Sequence, residues 1–155
     1  MADQAYLASL PKKRMGAGCL LCDEHGRILL VKPAYKPVWE IPGGVVEHNE
    51  SPKQCCQREL REELGLEREV GRLLIVDYNH HTDAKSESLM FIFDGGILSP
   101  TEITFIQLCP DELCDLDFFA PDALPEAMTD SLRERVWVAW QRLAEPEDVY
   151  WENRA

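Results

Sequence analysis

The sequence predicts an α/β domain, and three observations carry that expectation. Short apolar runs are bounded by turn residues; two stretches of helical spacing lie among them; and no repeat, low-complexity tract or linker divides the 155 residues. A chain of this length that is 45% hydrophobic is long enough to bury one core, so residues 1–155 are read as a single domain.

Residues 1–14 are mixed and end in Lys12, Lys13 and Arg14, a basic run read either as solvated or as a phosphate contact. Residues 17–22 and 27–32 are apolar and flank Asp23, Glu24, His25 and Gly26, which predicts a β-hairpin. Prolines at 33, 37 and 42 remove ladder donors, so that segment, which holds Trp39, is expected to be irregular. Gly43 and Gly44 permit close backbone approach. Val45 and Val46 suggest a short strand leading into an acidic loop of Glu47, His48, Asn49 and Glu50.

A helix follows with signals at both ends: Ser51 as N-cap, Pro52 in the first turn, Gln54 completing a capping box, and Gly65 as the stop. Residues 70–78 and 88–93 read as strands around a polar turn over 80–86, and residues 103–108 and 118–119 are expected to add strand. From about residue 131 to 144, Leu132, Val136, Ala139, Trp140 and Leu143 form the apolar stripe of a core-packing helix.

The formal charge of -12, from 28 acidic and 16 basic residues, disfavours nucleic acid and anionic membranes as partners. A phosphate-bearing substrate would be repelled as well, unless a divalent cation bridged it to this surface. No apolar run is long enough to span a membrane and no leader pattern opens the chain, so a cytoplasmic location is expected. Of the six cysteines, Cys19 and Cys22 lie three apart in a strand and face opposite sides. Reduced thiols are therefore the reading, rather than a zinc framework.

On the central helix, Glu59, Glu62 and Glu63 fall within an arc of about 100°. Cys56, Leu60 and Leu64 occupy the adjacent arc and can hold the acidic face against a sheet. Carboxylates at that spacing repel one another and call for compensation, for which Mg2+ or Mn2+ suits oxygen donors. Arg58, four residues before Glu62, can instead tie that carboxylate down, and a solvated acidic face is the plain alternative.

The register extends from Gly44 through Glu50, Arg58, Glu59, Leu60, Glu62 and Glu63 to Gly65 and Leu66. It resembles the Nudix box, G-x5-E-x7-R-E-U-x-E-E-x-G-U with U aliphatic, at every defined position. The resemblance implies an α/β/α sandwich with a mixed sheet. It also implies metal-dependent hydrolysis of a phosphoanhydride in a nucleoside diphosphate linked to another moiety: a nucleotide sugar, ADP-ribose, a dinucleoside polyphosphate or a nucleoside triphosphate.

In such enzymes the counterparts of Glu59 and Glu63 hold Mg2+ or Mn2+, with Glu62 as ligand or base and the Gly43 carbonyl as a further ligand. Arg58 would orient a catalytic glutamate, and Gly44, Glu50 and Gly65 would be structural. Members often take one more carboxylate from a later loop, here Glu112, with Glu102, Asp115 and Asp117 as alternatives.

Trp39, Tyr78, His80 and His81 are candidates for contact with a base or sugar, against ordinary packing or exposure. Trp137, Tyr150 and Trp151 are compatible with a homodimer interface. Two other functions share the fold: a noncatalytic nucleotide-sensing domain, against which the complete box argues, and an isoprenoid diphosphate isomerase, for which no proton donor and acceptor pair is evident.

Overall fold

A computed structural model describes residues 3–146 and 148–153. In order, its elements are α1 (Gln4–Ser9), β1 (Arg14–Asp23), β2 (Ile28–Pro33), β3 (Gly43–Val45), α2 (Pro52–Leu64), β4 (Leu73–Asn79), β5 (Ser88–Leu98), α3 (Pro100–Thr104), β6 (Leu113–Phe119), α4 (Asp130–Ala144) and β7 (Tyr150–Asn153). The strands form one mixed sheet in the order β6-β2-β1-β5-β4-β7. β1–β5 and β4–β7 are parallel and the other pairs antiparallel.

One edge of β1 serves two partners. Its last residues pair with β2 at Cys22 and Ile28, and Gly16 to Gly18 pair with β3 at Val45 to Gly43. β3 is thereby pinned to the start of β1, directly under α2.

Alternation along β1 builds two cores. Ala17, Cys19 and Leu21 pack with Cys56, Leu60 and Leu64 of α2, whereas Leu20 and Cys22 pack with Val136 and Ala139 of α4. The result is the α/β/α sandwich expected, with Cys19 and Cys22 on opposite faces. Leu60 and Leu64 are fully buried, each contributing about 2 kcal/mol, and they fix the height of α2 above the sheet.

The caps of α2 form as the sequence indicates. The Ser51 hydroxyl accepts from the Gln54 amide at 3.1 Å, and Gln54 Oε1 accepts from the Ser51 amide at 2.9 Å. Gly65 ends the helix at φ 68°, a left-handed conformation suited to glycine.

The elements depart from expectation in several places, β7 among them, since residues 150–153 were not read as strand. Residues 103–108 contain no strand; α3 and an irregular segment occupy them, because Ser99, Pro100 and Glu102 repeat the capping signature of α2. β5 continues five residues past 93, to Leu98, along the parallel partner β1. α1 was not anticipated; none of its side chains is buried, so it leaves no core-facing pattern to read. Among the described residues no helix is long and apolar enough to cross a membrane.

Candidate active site

Glu59 and Glu63 lie one turn apart on α2 and reach β3 at Gly44 and Gly43. Glu112, from the loop before β6, completes a cluster in which one oxygen of each carboxylate lies within 4.8 Å of the others. That loop is stitched to the C-terminus of α2. The Gln107 amide donates to the Leu64 carbonyl at 2.9 Å and the Cys109 amide to the Glu63 carbonyl at 3.1 Å. Carbonyls that the helix leaves orphaned thus carry the third carboxylate to the site.

Glycines let the backbone come close. A Cβ on Gly43 would sit 2.3 Å from the Ala17 carbonyl oxygen, and one on Gly44 would sit 2.4 Å from Glu59 Oε1. The bare backbone at 43 lets its amide donate to Glu63 Oε1 at 2.8 Å.

Arg58 organises the acidic residues behind the cluster. Nε and Nη2 donate to the two oxygens of Glu50 at 2.7 and 3.1 Å, and Nη1 donates to Glu59 at 2.8 Å and Glu62 at 3.0 Å. Nη2 also donates to the Val45 carbonyl at 3.2 Å, which ties α2 to β3. Glu62 therefore stands apart from the cluster, half exposed and held by Arg58.

The alternatives to Glu112 are placed elsewhere. Glu102 caps α3 and pairs with Arg68, while Asp115 and Asp117 each accept from the backbone amide of the next residue.

The electrostatics follow from this placement. Burial pushes the Glu63 carboxyl up to about 8; the Gly43 amide opposes the rise and the charges of Glu59, Glu112 and Glu40 add to it. Burial raises Glu59 as well, with Arg58 acting against it. The hydrogen bonds from Arg58 hold Glu50 down at about 2.

Converging hard oxygen donors, one of them too buried to ionise easily alone, fit a divalent ion such as Mg2+ or Mn2+. Such an ion must displace the proton on Glu63. The apparent Mn2+ affinity is therefore expected to rise about tenfold per pH unit below about pH 8 and to level off above it. Calorimetric titration across that range checks this, and a flat profile would remove Glu63 from the ligand set.

In the metal-free protein the same group contributes stability below its ordinary value that is lost as pH rises through about 8. Glu50 has the opposite sign: its contribution is present above the ordinary value and lost as pH falls through about 2.

A cleft of about 640 Å³ opens beside the cluster. Gly43 and Gly44 border it, and so does Glu40, whose charge reaches Glu63. Exposed His80 lines the cleft; His81, also exposed, is not part of the lining. The Trp39 ring is taken up by the core instead, packing edge-on against Phe119 with centroids 5.2 Å apart. Tyr78 donates its hydroxyl to Glu87 at 2.6 Å.

The basic run braces the same region. Arg14 donates to Ser86 and Lys13 pairs with Glu87, joining the start of β1 to the β4–β5 loop. Of the C-terminal aromatics, Trp137 stacks on Trp140, Tyr150 is half exposed and Trp151 packs partly buried on the α4-side core.

This fold and this box place the chain in the Nudix hydrolase family: a family model described as the NUDIX domain matches residues 12–141. Among individual proteins, the chain is similar to a MutT-like protein of Streptomyces ambofaciens. The two are 34% identical over 119 residues, 74% of this chain and 76% of that one. It is also similar to an 8-oxo-dGTP diphosphatase of Proteus vulgaris, 38% identical over 60 residues. That match takes in 36% of this chain and 54% of the relative, so the chain spans only about half of its length. A crystal structure of a UDP-X diphosphatase superposes with a TM-score of 0.76 at 24% identity, covering 97% of this chain and 76% of that one.

Proposed function

We propose that this protein is a divalent-metal-dependent pyrophosphohydrolase that cleaves a phosphoanhydride bond in a nucleoside diphosphate linked to another moiety. The observation that carries the reading is the cluster of Glu59, Glu63 and Glu112, held against Gly43 and Gly44, which border a cleft of about 640 Å³. The names of the relatives, two of them diphosphatases, support the same reaction class.

When bound, Mg2+ or Mn2+ supplies positive charge against the phosphoryl oxygens and against charge developing on the leaving phosphate. Glu59 and Glu63 would hold the ion, Glu63 being oriented by the Gly43 amide. Arg58 fixes the rotamer of Glu59 and keeps Glu62 and Glu50 from adding uncompensated charge. To Glu112, the exposed member of the cluster, this reading assigns the acceptance of a proton from the attacking water.

Glu112→Gln is then expected to lower kcat by about 10²-fold or more. Because the side chain is exposed, the melting temperature should hold. Glu102→Gln, which keeps the α3 capping box, should leave kcat within about twofold. Equal effects from the two variants would remove Glu112 from the reaction.

The direct test is a panel of nucleotide sugars, ADP-ribose, dinucleoside polyphosphates and nucleoside triphosphates, incubated with and without Mg2+ or Mn2+. Mass spectrometry of the products should show the gain of one water in the metal-containing reactions only. Tight binding with the ligand unchanged would instead mark a sensing domain, and conversion without mass gain an isomerase.

A further inference from the structure

The cleft lining includes Arg135 of α4, a charged residue only 7% exposed. Its Nε donates to Asp77 Oδ2 at 2.7 Å and its Nη2 to Asn79 Oδ1 at 3.1 Å. Asp77 itself is fully buried in β4. A guanidinium has five N–H donors in a rigid plane, and these two bonds use its side-on edge. The end-on fork, one N–H each from Nη1 and Nη2, has no partner among the described residues. The fork is reached from the cleft rather than sealed in the core, and its coplanar N–H groups offer a ligand a two-point contact.

Two further features narrow that ligand. Part of the cleft lining is apolar: Met90 and Ile41 fold over Gly16 and Gly18, which lack side chains. A Cβ on either glycine would come within 2.6 Å of Met90 Cε or Ile41 Cδ1. A thioether beside apolar surface suits contact with an aromatic ring. Moreover, Asp77 cancels the charge of Arg135, so the pair offers polarised N–H groups rather than net positive charge. That favours a neutral edge rich in acceptors over a second phosphate.

We propose that Arg135, held by Asp77 and Asn79, reads the adjacent O6 and N7 acceptors of a 6-oxopurine and makes the cleft selective for guanine- or hypoxanthine-type nucleosides. The proposal rests on the nucleotide reading above. Paired donors match O6 and N7 of guanine, whereas adenine presents its N6 amino donors at the first of these positions. An 8-oxoguanine ring carries hydrogen on N7 and would set donor against donor. Asp77 acts here as a positioning residue, since it fixes the plane of the fork.

The test is equilibrium binding of nucleoside monophosphates in EDTA, which reads the base site without hydrolysis. GMP is expected to bind about tenfold or more tightly than AMP. On the unsubstituted protein, 7-deaza-GMP and 8-oxo-GMP should each lose most of that advantage. Arg135→Lys, which keeps the charge and removes the planar fork, should bring GMP and AMP within about twofold. Asp77→Asn should weaken GMP binding and leave AMP binding unchanged.

Equal affinity for GMP and AMP, no saturable GMP binding, or an unimpaired 7-deaza-GMP would overturn the proposal. A base preference with no turnover of any substrate would sink the hydrolase reading alone. Turnover with no base preference would sink this one alone.

Discussion

Glu63→Gln is expected to lower turnover on the order of 10³-fold while leaving the protein folded. Glutamine keeps the volume of the side chain and an oxygen that can accept from the Gly43 amide, so the local geometry of β3 against α2 survives. What disappears is a negative oxygen donor at the one position of the cluster that solvent hardly reaches. A neutral group is also easier to bury there, since the wild-type carboxyl is already pushed up to about 8.

The metal-free variant should therefore melt no lower than the parent at pH 8.5, where the parent must bury a charge. The upward shift in melting temperature that Mn2+ gives the parent should be absent. Paired melting curves with and without Mn2+, alongside initial rates, separate a metal-ligand role from a purely structural one. A variant that retained the Mn2+ shift and the rate would show that the ion is held without this residue.

Much of this arrangement was legible in the residues, and what escaped did so for identifiable reasons. The caps of α2 are local chemistry, so Ser51, Pro52, Gln54 and Gly65 could be read directly. The departure of Glu62 from the cluster was half legible. Glu59 and Glu63 are four apart and nearly superimposed along the axis, whereas Glu62 is four from Arg58 and is drawn to it. The end of the 99–104 segment was misread although it repeats the capping chemistry of α2, because the apolar residues after it suggested a strand.

Long-range features left no local trace. The parallel pairing of β1 with β5 and of β4 with β7 joins segments distant in the chain, and the Asp77–Arg135 pair spans 58 positions. The mixed sheet was expected only through the resemblance of the box. Trp39 illustrates the limit of composition: an aromatic in a proline-rich loop reads as a ligand contact, yet the bridge between Glu40 and Val31 brings the adjacent ring onto Phe119.

Arg58→Ala tests the support behind the site, and its expected cost is structural as well as catalytic. The guanidinium is largely buried, as is its main partner, with 17% and 14% of the side chains exposed for Arg58 and Glu50. Solvent screening is thus weaker here than for a surface pair. Removing it strands Glu50 and Glu59, frees Glu62 to repel both, and breaks the bond to the Val45 carbonyl that ties α2 to β3.

The loss should be about 3 kcal/mol, which for a domain of this size is about 9 °C in melting temperature. Arg58→Lys should recover only part of it, because an ammonium cannot reproduce the two-point contact with Glu50.

The rate should fall too, since Glu59 loses the bond that fixes its rotamer. The charge part of the stability loss can be separated from packing by titrating Glu50. In the parent its contribution vanishes as pH falls through about 2, so parent and variant stabilities should converge toward strongly acidic pH. Parallel stability curves down to that range would mean that Arg58 acts through packing alone.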